Sequence, residues 1–198
     1  MKYIVFIFLS LVFSTILIAQ KKEIDNELPY YEIPEYTGKY TAGSVASRMI
    51  DGLGFRYRWA TENLSENDLN YKPSDSVRST LETIDHILGL SRVIVNATLK
   101  IKTDFTKEQP VLTYDQKRKE TLENFKKASN ILKSATDLEE FKIQFVFTGG
   151  SSEYPFWNNI NGPIADAIWH SGQIASFRRS SGNPISSKVE FLEGKVKN

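Results

Sequence analysis

The chain has 198 residues, with 25 Lys and Arg against 24 Asp and Glu, a formal net charge of +1 and no cysteine. A balance so near neutral, with no basic stripe, excludes a nucleic-acid binder, which relies on excess cations to displace condensed counterions. The lack of cysteine removes disulfides, thiolate nucleophiles and zinc–cysteine sites together, so any metal must be held by nitrogen and oxygen.

Lys2 is the one charge ahead of an apolar run from Tyr3 to Ile18, which ends at Ala19 before the polar stretch Gln20-Lys21-Lys22-Glu23. This is the pattern of a secretory signal peptide over residues 1–19, and the run is short for a membrane span of about 20 residues. Cleavage after Ala19 predicts a periplasmic or extracellular protein with no stable membrane insertion. Leu17 is larger than the residue usually found two positions before the cut, which leaves an uncleaved anchor as the competing reading. No cysteine follows the run, so a lipoprotein is excluded. Once Lys2 is removed, 24 cations face 24 anions.

Residues 20–40 mix acids, tyrosines and two prolines without a sustained period and read as an extended leader, because Pro29 and Pro34 each remove a backbone donor. Residues 41–198 suit a single domain. From Thr41, Val45, Met49, Ile50, Leu53, Tyr57, Ala60 and Leu64 recur at helical steps and predict a first amphipathic helix. Asn67 to Pro73 reads as a turn, after which Ser74 or Ser76 caps a second helix running to about Lys100 with Val77, Leu81, Ile84, Leu88, Val95 and Leu99 on its face. Thr113 and Gln116 have the capping-box spacing that opens a third helix, with Leu122, Phe125, Ile131 and Leu132 inward. Its Lys117, Arg118, Lys119, Lys126 and Lys127 read as a solvated face. Phe141 to Phe147 alternates and favours an extended segment, followed by a flexible Gly149–Ser152 loop. A last helix is predicted over 163–181, with Pro163 at its first position and Gly182 and Pro184 closing it. Four helices and no repeat predict an all-α four-helix bundle.

Only two histidines occur, His86 on the second predicted helix and His170 on the last. Asp166 and His170 are four apart and so share one helix face, which Gln173 and Phe177 continue. If the two helices pack side by side, His86 completes a two-histidine, one-carboxylate set suited to zinc, nickel, iron or manganese, with positions left for water or substrate. Glu82, one turn before His86, either orients that imidazole, acts as a base or faces solvent. On the plainer reading both histidines are hydrogen-bonded core residues, and Asp166 complements the dipole at a helix start. Trp157, Asn158, Asn159 and Asn161, with Tyr57 and Trp59, form a candidate outer layer. Core packing is the simpler role for the aromatics, helix capping for Asn161, and dipole pairing for Arg178 and Arg179.

The segment WNNINGPIADAIWHSGQIASFRRSSGNP, residues 157–184, resembles the final helix of DinB-like proteins, in which a histidine followed by Gly-Gln closes a metal site. Here that element is His170-Ser171-Gly172-Gln173. TLETIDHILGL, residues 80–90, is similar to the family segment whose histidine is the first ligand, matching His86. The likeness runs from about Thr41 to Pro184 and implies the bundle fold and one divalent metal on His86, Asp166 and His170, with Gln173 behind them. One departure is that Asp166 stands where the family commonly has histidine, which keeps a ligand but lowers the formal charge of the site.

The resemblance implies a metal-dependent enzyme acting on an unidentified small molecule, either a hydrolase or a transferase or isomerase that uses low-molecular-weight thiols. Export favours hydrolysis, because such thiols are mainly cytoplasmic. The rival expectation is a non-catalytic exported binding or stress-associated module. A homodimer, with the Phe141–Phe147 strip at its interface, is compatible with either.

Overall fold

The computed structural model of the chain describes residues 28–35 and 38–197. The signal peptide expected at residues 1–19 lies outside them. None of the helices among the described residues is long and apolar enough to cross a membrane.

Helix α1 spans Ala42–Ala60 and opens on a reciprocal cap, in which Thr41 Oγ1 accepts from the Ser44 amide at 3.1 Å and Ser44 Oγ accepts from the Thr41 amide at 2.9 Å. Ala46, Ile50, Leu53, Tyr57 and Ala60, three or four residues apart, form its buried face. Val45, expected on that face, is exposed. The described part of the leader lies along α1: Arg58 donates to the Leu28 carbonyl at 2.9 Å, and Tyr30 donates to Asp51 at 3.0 Å. Gly54 permits this approach, since a Cβ there would stand 2.4 Å from the Tyr30 ring.

The predicted turn after α1 contains a short helix instead, α2 over Glu66–Asn70. Ser65 and Asp68 cap it reciprocally, a pairing that overrides the turn preference of its Asn residues. Asp68 also accepts from Asn183 Nδ2 at 2.8 Å and from the Ser181 hydroxyl, which ties α2 to the far end of the last helix.

Helix α3 spans Thr80–Leu99, and its cap is Ser79 rather than Ser74 or Ser76, because only Ser79 has a reciprocating acid, Glu82, three residues on. The start is therefore later than expected and Val77 is exposed. Helix α4, Tyr114–Lys133, begins on the predicted Thr113–Gln116 box. One member of its expected solvated face is buried: Arg118 lies under the end of α1, bonded to Thr61 Oγ1 at 3.2 Å and paired with Glu62.

The chain is rich in helix but not all-α. Strand β1 (Thr103–Asp104) pairs in parallel with β2 (Ile143–Phe147), and β2 pairs antiparallel with β3 (Gly150–Tyr154). The alternation of Phe141–Phe147 predicted β2. The loop expected at Gly149–Ser152 is instead the turn and first residues of β3, because Gly149 at φ +92° lets the chain reverse tightly. Ile143 packs with Val93 and Ala97, seating the sheet on α3. Phe141 and Ile143 are buried, so the strip considered for a dimer is largely occupied within the chain, and Phe147 is its exposed end. A small hairpin of β4 (Val189–Glu190) and β5 (Lys195–Val196) meets the leader, where the Ile33 amide donates to the Gly194 carbonyl at 2.8 Å.

The last helical segment starts earlier than expected: α5 over Phe156–Asn159, a π turn over Ile160–Ile164, and α6 over Ala165–Ser180. Pro163 therefore sits inside a widened turn, not at a helix start, and Asn161 is an exposed member of that turn rather than a cap. A π turn tolerates proline because its altered bond pattern already interrupts the α ladder. Of the four long helices, α1 and α3 each pack against both α4 and α6. The shared core holds Ile50, Leu53, Ile84, Ile94, Leu122, Phe125, Leu132 and Ile174. Gly43 allows α1 to approach the end of α4, where a Cβ would come within 2.4 Å of the Leu132 and Ala135 carbonyl oxygens.

Candidate metal centre

Ala167, Ser171, Ile174 and Arg178 turn one stripe of α6 into the core, and Arg178 holds the helix end by donating to the Trp59 carbonyl at 2.8 Å and the Asn183 carbonyl at 2.6 Å. Asp166, His170 and Gln173 form the adjacent stripe, at the i, i+4, i+7 spacing of one face. The packing of α3 on α6 brings His86 across to them. His86 Nε2 lies 2.9 Å from Asp166 Oδ2, His170 Nε2 lies 3.3 Å from Asp166 Oδ1, and the imidazoles stand edge to face with centroids 4.6 Å apart. One donor atom from each of the three residues falls within 4.8 Å of the others, so the group could hold a metal ion.

The donor set fits a cation. Gln173 Oε1 lies 2.7 Å from His170 Nδ1 and can only accept, so Nδ1 is the donor in that bond, and a neutral His170 ring then has its lone pair on Nε2, on the Asp166 side. Two acceptors 3.3 Å apart repel unless a proton or a metal ion lies between them. The 3.3 Å between His170 Nε2 and Asp166 Oδ1 is about the separation of two ligands on one zinc ion, while the 2.9 Å from His86 to Asp166 Oδ2 is a direct hydrogen-bond distance. The histidine side chains are 12% exposed for His170 and 30% for His86, and Asp166 is 36% exposed, so the group sits at the edge of the core with one side open.

Glu82 is not brought into this group. Its carboxylate accepts from the Ser79 amide at 2.7 Å and pairs with Lys72 at 3.2 Å. The amide bond is the main reason that its pKa is held below the usual carboxylate value, with Lys72 adding to it. The capping box thus uses the carboxylate that proximity to His86 had suggested as a base.

A cleft of about 660 Å³ opens beside His86 and Asp166, walled by Leu90, Val93, Phe105, Phe145, Pro163 and Trp169 among others. Sequence reasoning singled out few of these, because β1 and β2 bring Phe105 and Phe145 together from positions 40 residues apart. Trp169 offered a local signal, since it is a large apolar residue next to a candidate ligand. Trp157, considered for the core, is instead 73% exposed, while Trp59 packs on Tyr31 with centroids 5.3 Å apart and helps to fasten the leader.

No family model and no curated protein sequence matches the chain. Among solved structures, it is similar to the crystal structure of a DinB-like protein from Bacillus subtilis, at 16% identity and a TM-score of 0.47, covering 68% of this chain and 92% of that one.

Proposed function

We propose that the chain is an exported metal-dependent hydrolase on a DinB-like four-helix bundle, with His86, Asp166 and His170 holding one divalent ion of zinc, nickel, iron or manganese. The observation that carries this reading is the convergence of two imidazoles on one carboxylate, with Gln173 Oε1 placed to accept from His170 Nδ1 and leave Nε2 on the Asp166 side. When bound, such an ion supplies Lewis acidity toward a carbonyl or phosphoryl oxygen and toward water. The protein's own residues do the rest. Asp166 contributes the single negative charge, Gln173 sets the orientation of the His170 ring, and Leu90, Val93 and Phe145 shield the cleft side from bulk water. Three protein ligands leave coordination positions for water and substrate, the pattern of catalytic rather than structural sites.

A second reading, a binding module without turnover, is favoured by one contact: Asp166 bonds His86 directly at 2.9 Å, so the cluster can also be satisfied with a proton in place of a metal. Cobalt substitution separates the two. The hydrolase predicts visible cobalt bands that disappear in His86→Ala and in His170→Ala, together with metal-dependent cleavage of at least one class in a panel of esters, amides and phosphoesters. No cobalt uptake favours the proton-held module and refutes the metal, and cobalt bands with no cleavage across that panel leave a metal-binding module without turnover.

A further inference from the structure

The cleft beside the His86–Asp166–His170 group has a chemical character of its own. Its lining is dominated by Leu90, Val93, Phe105, Phe145, Pro163 and Trp169, and among the described residues it contains no lysine or arginine. Its acids are Asp166 and Asp85, and Asp85 already pairs with Lys117 at 2.5 Å. An anionic ligand would therefore find no side-chain cation on these walls, only the single net positive charge that a divalent ion on Asp166 would carry at one end. The apolar walls are also held in place. The Phe105 amide donates to the Val146 carbonyl at 2.8 Å, Phe145 packs on the Val93, Ala97 and Ile143 cluster, and Pro163 is fixed in the π turn. Even so, Phe105 is 61% and Trp169 71% exposed, and the Phe105 and Phe145 rings stand 5.4 Å apart as a ready surface for another ring. Large aromatics left in water on a rigid wall, opening onto a ligand-forming group, mark a binding cleft.

We propose that this cleft takes a small neutral aromatic compound, whose ring lies against Phe105, Phe145 and Trp169 while a single oxygen donor points to the His86 and Asp166 end. This names the substrate class of the site and rests on the metal reading above. The ring supplies the affinity through apolar burial, and the oxygen supplies the orientation.

The test uses the full chain, with metal uptake read separately by elemental analysis. Calorimetry on the zinc-loaded protein compares benzamide with acetamide, which are neutral, share one carbonyl oxygen donor and differ in the ring. The proposal predicts a preference for the aromatic compound of about tenfold or more, from the burial of one ring face. Phe105→Ala and Trp169→Ala, both at exposed positions, should erase most of that preference and leave zinc uptake unchanged. Equal affinities on zinc-loaded protein overturn the aromatic cleft and leave the metal reading standing. If zinc does not bind, quenching of tryptophan fluorescence by 1-naphthol that Phe105→Ala weakens upholds the aromatic cleft while the metal reading falls. No zinc and no 1-naphthol binding overturn both. Self-association in sedimentation that both variants abolish would also overturn the proposal, because a second copy would then be what covers the wall.

Discussion

Gln173 does not belong to the three converging donors, yet the account gives it a measurable share of metal affinity. Its Oε1 accepts from His170 Nδ1 at 2.7 Å and so selects the tautomer whose Nε2 is free for a ligand. Gln173→Ala removes that acceptor from a half-buried position, so the imidazole becomes free to rotate or to carry its proton on Nε2. Losses of this kind weaken metal binding by about 10–100-fold, or about 1.4–2.7 kcal/mol. Gln173→Glu keeps an acceptor at the same place and should recover most of the loss. Zinc affinity is read by competition with a chromogenic chelator, with thermal unfolding of the metal-free proteins as a control for folding. An affinity within about twofold of the parent for Gln173→Ala would show that the ring is oriented by something else, and would remove the reasoning that makes His170 a ligand.

Other predictions concern the scaffold. Phe125 is fully buried and meets Tyr57 edge-on at 6.0 Å, so Phe125→Ala should cost about 3–5 kcal/mol in denaturant unfolding. Arg118→Ala leaves Glu62 only the Arg58 guanidinium at 3.9 Å and removes the bond to Thr61, and should cost about 1–3 kcal/mol by the same measurement. For Asp68, burial raises the pKa, but hydrogen bonds from Ser181, Asn183 and Ser65 outweigh it and hold the group at about 2. That stabilisation, about 2 kcal/mol, should be complete above pH 4 and be lost as the pH falls toward 2, and Asp68→Asn should flatten this part of the stability–pH curve. Gly43→Ala should destabilise by about 1–3 kcal/mol because backbone oxygens occupy the space of the new methyl group. Gly172→Ala, with nothing within 4 Å of its Cβ position, should be neutral or stabilising by up to about 1 kcal/mol. Thermal melts of that pair would show whether helix contact, rather than glycine itself, decides the outcome.

The helices were legible where period and cap agreed. Thr113 and Gln116 mark the start of α4 in sequence and structure alike, and the Ile50, Leu53, Tyr57 stripe marks the buried face of α1. Ser74 and Ser76 stand nearer the preceding proline, and only the reciprocal bond from Glu82 distinguishes Ser79 as the cap. The same bond decides among the roles open to Glu82, since proximity to His86 along a helix says nothing about a competing cap. Arg118 was assigned to solvent by its charged neighbours, whereas its burial depends on Glu62, which the fold brings from 56 residues away. Pro163 has the sequence setting of an α-helix start, but a π turn accommodates it within the helical segment. The two histidines and Asp166 could be seen as candidates because they are few and regularly spaced. Their meeting depends on how α3 packs against α6, and no local pattern encodes that packing.

The most direct test of the metal centre is elemental mass spectrometry of the purified chain, beside a variant carrying His86→Ala and His170→Ala. The account predicts near-stoichiometric zinc, nickel, iron or manganese in the parent and background levels in the variant, with both folded. Equal metal in the two proteins, or none in the parent even after incubation with each of these ions, would contradict it.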